Sequence, residues 1–279
     1  MGTEQPAEFY DARMERVSLP YEESPWRAVY DTVVSLMPPE PAIPILDVGC
    51  GTGRCAEALR RAGYTDYAGF DFSPARVAEA ATYVPQFEFS VVDVFSDAAA
   101  PHFENRSAFV VTEVLEHVEG DLEIIRLIPE GGVVIFSVPT FDSEGHVRSF
   151  PTPSSVQERY GELLAIDEIR VLAKPGSTDR KTFVCRAVRT GTTAPAHELA
   201  AARDRTASAL RVAELDAAVT DLQVQCAEQQ KQIERLRRRV RRQARRVNEL
   251  EQARSEPLAE GSSLPQRVAA RVRARISRR

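Results

Sequence analysis

The apolar residues of this chain follow two rhythms, and the change between them divides it. From residue 43 to about 190, short apolar runs of the kind that form buried strands alternate with stretches whose apolar positions recur at helical spacing. The runs at 44–48, 66–71, 87–93, 108–113 and 132–138 read as strands, and the segments 53–62, 74–82 and 120–128 as helices. Such alternation predicts an α/β fold, with right-handed crossovers and a mostly parallel sheet flanked by helices. Two last runs, 163–173 and 181–189, flank Lys-Pro-Gly-Ser-Thr-Asp and read as a terminal hairpin. Ahead of the first strand, residues 24–37 carry Ser, then Pro, then apolar residues at helical spacing, the pattern of a capped helix. Residues 1–42 are therefore expected to form a helical segment ahead of an α/β domain over residues 43–190.

The second rhythm begins at Val212 and has a period of seven. Val212, Val219, Cys226, Ile233, Val240 and Val247 fall at a, and Leu215, Leu222, Gln229, Leu236, Gln243 and Leu250 at d. β-Branched residues at a with Leu at d favour a parallel two-stranded coiled coil, so residues 208–255 are expected to hold a homodimer together. At 1.5 Å per residue this is a rod on the order of 60 Å. The Ala- and Thr-rich stretch 191–207 reads as a linker. Residues 264–279, with Val268, Val272 and Ile276 on one face among arginines, read as a basic amphipathic tail.

Between the first strand and the first helix of the α/β part lies Asp47-Val-Gly49-Cys50-Gly51-Thr-Gly53. Glycines at alternate positions let backbone approach a ligand closely, and a strand–turn–helix junction is where an α/β sheet binds nucleotides. The acid ahead of the glycines repels phosphate but suits a cation, which argues against a dinucleotide fingerprint. This motif resembles the first motif of class I S-adenosylmethionine-dependent methyltransferases, whose cofactor carries an ammonium and a sulfonium. The resemblance implies a Rossmann-like, seven-stranded, mostly parallel sheet ending in a hairpin with one antiparallel strand. It also implies S-adenosyl-L-methionine as cofactor, held by Asp47, Gly49, Cys50, Gly51, Gly53, Asp71, Phe72, Asp93, Val94 and Glu113. Asp71, about twenty residues past the glycines at the next strand end, is placed to accept ribose hydroxyls. Asp93, at the third strand end, matches the position that meets the adenine amino group.

Composition narrows the setting. The chain has 279 residues, 43% hydrophobic and 28% charged, and no apolar stretch long enough to span a bilayer. Its acidic N-terminus is unlike a signal peptide, and its four cysteines form no C-x-x-C pair. A cytoplasmic protein is expected, with a peripheral contact at the inner membrane face if the basic tail meets anionic lipid or another polyanion. The net charge of −5 conceals a division: residues 1–190 hold 17 basic and 30 acidic residues, and residues 191–279 hold 19 and 11. The acidic catalytic part makes nucleic acid an unfavoured partner. Eight arginines within residues 235–246 form the densest cationic run.

The acceptor chemistry is expected at the ends of strands four and five, where the chain reads Glu113-Val-Leu-Glu116-His117 and then Phe-Asp-Ser-Glu-Gly-His146. Methyl transfer to a hydroxyl needs a proton removed, and a near-neutral histidine can take it. His117 or His146 is the candidate base, with Glu113 or Glu116 orienting it. The main expectation is O-methylation of a small molecule or a saccharide or glycan. One alternative places Mg2+ or Mn2+ on Glu113, Glu116, His117 and His146, as in metal-assisted methyltransferases acting on vicinal hydroxyls of an RNA 3′-terminal ribose or a quinol. Another is a non-catalytic coiled-coil scaffold. With little room for an inserted cap, residues 1–40 and the stretch after Pro139 must roof the pocket, which is expected to be open.

Overall fold

The computed structural model describes residues 2–174, 177, 179–191 and 196–255. Its centre is one seven-stranded sheet in the order β3-β2-β1-β4-β5-β7-β6. β1 (Ile45–Val48), β2 (Tyr67–Asp71), β3 (Glu88–Val91), β4 (Ala108–Val111) and β5 (Val133–Pro139) pair in parallel. β7 (Lys181–Arg189) lies antiparallel between β5 and β6 (Leu164–Ala173). The chain winds outward from β1 to β3 and then returns to β4, so the order reverses between β1 and β4. Ligands of open α/β sheets bind at such a reversal.

The helices are α1 (Ala7–Asp11), α2 (Met14–Val17), α3 (Arg27–Leu36), α4 (Arg54–Arg61), α5 (Pro74–Tyr83), α6 (Ala100–Phe103), α7 (Asp121–Leu127), α8 (Pro153–Tyr160) and α9 (Ala196–Ser255). Period-two alternation in the buried strands splits the core between the two faces of the sheet. Phe109 and Val111 of β4 and Phe136 of β5 join Phe70, Phe103, Ile124 and Tyr160 on one side. Ala108, Val110 and Ile135 join Val33, Leu36, Leu59 and Val84 on the other.

Three expectations shift. The helix foreseen from residue 24 starts at Arg27, because Ser24 closes a 3-10 turn at Tyr21–Glu23 and Trp26 caps without a side-chain hydrogen bond. The third strand ends at Val91, so Asp93 lies beyond it in a turn in which its Oδ1 accepts from the Phe95 amide at 3.0 Å. The stretch read as a linker is helical from Ala196, since alanine is the strongest helix former and nothing in 196–207 interrupts it.

The chain divides into two compact units, one through Gln225 and one from Cys226 onward. In the first, the start of α9 packs on the sheet through Ala209 and Ala213, with Lys181 Nζ 2.7 Å from Asp221 Oδ1 and Ser154 Oγ donating to Glu214. In the second, the described residues 226–249 continue α9 with exposed side chains. Residues 264–279, the expected amphipathic tail, lie outside the described residues. None of the described helices is long and apolar enough to cross a membrane.

Candidate active site

The β1–α4 turn is built around backbone that only glycine adopts easily. Gly49, Gly51 and Gly53 have φ of 74°, 54° and 80°, and a Cβ on Gly49 would lie 2.5 Å from Val114 Cγ2. Two acids frame the turn. Asp71 accepts from the Gly51 amide at 3.0 Å through Oδ2 and from the Ser73 amide at 2.9 Å through Oδ1. It therefore shapes the turn itself, and each oxygen keeps a second lone pair for a ligand. Asp47 is fully buried behind the glycines; its Oδ2 accepts from the Tyr67 hydroxyl at 2.8 Å, and its Oδ1 has no partner among the described residues. Burial pushes its carboxyl up to about 7. An unpartnered buried carboxylate oxygen behind a glycine cradle fits a cationic ligand, because such a group is costly until something satisfies it.

The remaining cofactor candidates surround this core unequally. Cys50 is buried, and Gly69 opposite makes room for it, since a Cβ there would lie 2.8 Å from Cys50 Cβ. Phe72 is 40% exposed, Asp93 is exposed and Val94 is half-buried against the core.

The N-terminal segment lies across both parts of the site. Thr52 Oγ1 donates to Val17 O, Arg54 Nε to Leu19 O, Arg76 Nη2 to Tyr10 O and Ser73 Oγ to Asp11 Oδ1, all between 2.6 and 3.0 Å. At its start the Gly2 amide donates to His146 O at 2.8 Å. The Tyr10 ring meets Phe72, just past Asp71, edge-on at 5.8 Å and His117 at 5.5 Å. Gly2, Tyr10, Asp11, Val17 and Leu19 thus lie against the glycine turn and the histidine loop, where residues 1–40 were expected to form a roof.

Beyond β4 the chain turns sharply at Glu113, whose φ of 55° is rare for a residue with a Cβ and marks local strain. Ser137 Oγ accepts from the Glu113 amide at 2.9 Å and donates to its Oε1 at 3.1 Å, while Trp26 Nε1 donates to Oε2 at 3.0 Å. Glu113 is therefore occupied with Trp26 and Ser137 and orients neither histidine.

Glu116, His117 and His146 do come together, each offering a ligand atom within 4.8 Å of the others'. Their rings and carboxyl are held from behind by backbone. His117 Nδ1 is 2.9 Å from Gly145 O and His146 Nδ1 is 3.2 Å from Phe141 O. A carbonyl can only accept, so both Nδ1 atoms carry the proton and each Nε2 keeps its lone pair. The rings sit edge to face at 4.8 Å. Glu116 is completely buried, with neither carboxyl oxygen hydrogen-bonded among the described residues. Burial holds His117 down to about 4 and lowers His146, and burial with Glu113 nearby raises Glu116. At neutral pH the cluster is two neutral imidazoles facing a carboxyl that gains from a proton or a cation. Arg148 fastens the loop that carries it, donating to Leu115 O, Val118 O and Glu119 O. Carbonyls, not the expected carboxylates, orient the histidines.

Trp26, Ser137, Tyr67 and Tyr10 were not singled out by the sequence. The lone Trp, followed by a helix and preceded by Ser-Pro, was the only signal among them.

Comparison with known proteins then bears on what this site does. A family model described as a methyltransferase domain matches residues 22–174. The ubiquinone biosynthesis O-methyltransferase of Alkalilimnicola ehrlichii is 36% identical over 103 residues, covering 33% of this chain and 40% of that protein. Its namesake from Salmonella typhimurium is 34% identical over 100 residues, covering 33% and 41%. The chain thus spans about two fifths of the curated relatives it matches. Among solved structures, the 4+2 cyclase SpnF superposes with a TM-score of 0.54 at 15% identity, covering 68% of this chain and 99% of that one. A chain of the complex containing the Haloferax volcanii Trm112 methyltransferase activator gives 0.51 at 17% identity, covering 68% and 96%. At these identities the structures share the fold. A family model matching more than half the chain decides the matter: the protein belongs to the S-adenosylmethionine-dependent methyltransferase domain family, with S-adenosylmethionine as its cofactor.

Proposed function

We propose that this protein is an O-methyltransferase for a small hydroxylated acceptor, a phenol- or quinol-like molecule or a saccharide. The observation that carries this reading is the Glu116–His117–His146 cluster beside the glycine turn. Two imidazoles with free Nε2 lone pairs suit an acceptor that must lose a proton as it is methylated. An amine acceptor can instead enter already neutral, which leaves the cluster without a task. The O-methyltransferase relatives support the same acceptor atom.

S-adenosylmethionine supplies an electrophilic methyl group on a sulfonium. The chain's own residues do the rest. Asp47 provides the anionic backing for a cation at the glycine turn, and Asp71 holds the turn and retains lone pairs for hydroxyls. His117 Nε2 accepts the acceptor's hydroxyl proton as the methyl group transfers; burial disfavours the resulting imidazolium, and Gly145 O, accepting from Nδ1–H, offsets part of that cost. His146 and Glu116 take a second hydroxyl or share the proton. The segment carrying Tyr10 excludes water while acceptor and methyl donor are aligned, and that alignment supplies much of the rate.

A second reading has its own observation, the two unpartnered oxygens of Glu116. Glu116, His117 and His146 would hold a divalent cation that acidifies the acceptor hydroxyl. Two imidazoles beside one carboxylate favour Mn2+ over Mg2+. Glu113 would not belong to the set, being held by Trp26 and Ser137.

The test is methyl transfer to a panel of catechols, quinols and sugars, with and without chelator, by wild type and His117→Ala. Chelator-resistant transfer that falls at least 100-fold in the variant supports the base reading. Loss on chelation restored by Mn2+ supports the metal. Transfer to amines alone, unchanged by His117→Ala, would overturn both.

A further inference from the structure

The described part of α9 carries an apolar seam that the methyltransferase fold does not use. Val212, Val219, Ile233, Val240 and Val247 at a, and Leu215, Leu222 and Leu236 at d, are each between 49% and 64% exposed. The contacts that seat the start of α9 in the first unit come from other positions of the heptad. Ala209 and Leu210 are at e and f, Ala213 at b, and Glu214 and Asp221 at c. The docking face adjoins the seam, since Val212 and Val219 edge grooves against Ile169 and Val171 of β6, yet both stay more than half exposed, as does Leu222 beyond them.

We propose that a second copy of this chain covers it, forming a parallel, in-register, two-stranded coiled coil. The a/d composition selects two strands in parallel. The polar layers select the register: pairing each layer with itself sets Gln229 against Gln229 and Gln243 against Gln243, where amides can bond each other. An antiparallel pairing would set these d-position amides against Val, Ile or Cys at a, and a one-heptad shift would set them against Leu, at a cost in unpaired polar groups.

Charge agrees. In a parallel pair each g residue faces the e residue five positions on in the partner. Arg211 then faces the partner's Asp216, an attractive pair, and Gln232 faces Arg237, Arg239 faces Ala244, and Ala218 and Gln225 face glutamines. No arginine meets an arginine across the seam, although the segment holds eight in twelve residues. Arg235, Arg238, Arg241, Arg242 and Arg245 fall at b, c and f, pointing away from it. The register that pairs the glutamines is thus the one that spaces the arginines.

Cys226 makes the arrangement testable, since it is an exposed free thiol at an a position, whereas Cys50, Cys55 and Cys185 are buried. In the parallel pair the two Cys226 residues share a layer and come within disulfide reach. An antiparallel pairing of the same seam separates them by on the order of 10 Å along the axis. Full-length protein is expected to sediment as a dimer at micromolar concentration. Diamide, which takes up two electrons and two protons per disulfide, should convert most of it to a covalent dimer on a non-reducing gel. Cys226→Ser should abolish the cross-link but not the dimer. Leu236→Lys should yield monomer with unchanged S-adenosylmethionine affinity. A monomeric or higher-order wild type, or a dimer that resists cross-linking through Cys226, would overturn the proposal.

Discussion

Asp47 is the residue where the site's electrostatics are most exposed to test. Without a ligand it is a buried carboxyl with one unpartnered oxygen, raised by burial to about 7. A folded-state pKa above the unfolded value of about 3.9 means the native state holds a proton that the unfolded state has released. The contribution of this group to the stability of the cofactor-free protein is therefore greatest below about pH 4 and declines as pH rises to about 7. A cationic ligand reverses the balance by favouring the charged form. Calorimetry in buffers of different ionisation enthalpy should show S-adenosylmethionine binding at pH 6 releasing up to about one proton, and Asp47→Asn should remove that release. Release undiminished in the variant would place the proton elsewhere. Asp47, Asp71 and the glycines were legible because their chemistry is tied to strand ends and positive φ, which local sequence announces. The orienting carbonyls of Gly145 and Phe141 were not, because a backbone oxygen has no side-chain signature. Glu113 misled for a related reason. Its partners Trp26 and Ser137 are 87 and 24 residues away, a distance only the fold closes.

Among the elements, the strands and helices that alternate at short spacing followed the sequence closely, since burial on both faces leaves a parallel strand little choice of pattern. The ends of the fold departed from it. α9 begins at Ala196, and Ala213 is fully buried in the main core. Alanine at these positions signals helix propensity and linker composition alike, so the docking contact had no distinct mark. It predicts that Ala213→Glu, which forces a charge into that core, costs on the order of 3 kcal/mol and lowers Tm by roughly 5–10 °C in a thermal melt. Ala218→Glu, at an exposed position of the same helix, should shift it little. Equal effects from the two would show that α9 is not docked through Ala213. The N-terminal segment is the other informative element. Its bonds to the glycine turn and to the His146 carbonyl, with Tyr10 set between Phe72 and His117, join the two halves of the candidate site. Tyr10→Ala should weaken cofactor retention several-fold and slow transfer more than it changes stability, read by calorimetry and initial rates.

At the scale of the whole molecule, an acidic methyltransferase unit and a basic, seam-bearing helix share one chain. Because core residues extend into α9, a cut after Gln225 respects the division where a cut near residue 205 would remove Ala209 and Ala213 from the core. The protein ending at Gln225 is expected to be monomeric, to bind S-adenosylmethionine as tightly as the full chain and to keep its transferase activity. The fold alone does not name that activity, since the same architecture serves a 4+2 cyclase. What distinguishes the account is the cluster of Glu116, His117 and His146 at the acceptor side. Mass spectrometry of acceptor mixtures incubated with S-adenosylmethionine, comparing wild type with the Glu116→Gln, His117→Ala double variant, tests it most directly. The account predicts one added methyl group on a hydroxyl with wild type, and at least 100-fold less product with a variant that still binds the cofactor. Undiminished methylation by that variant would contradict it.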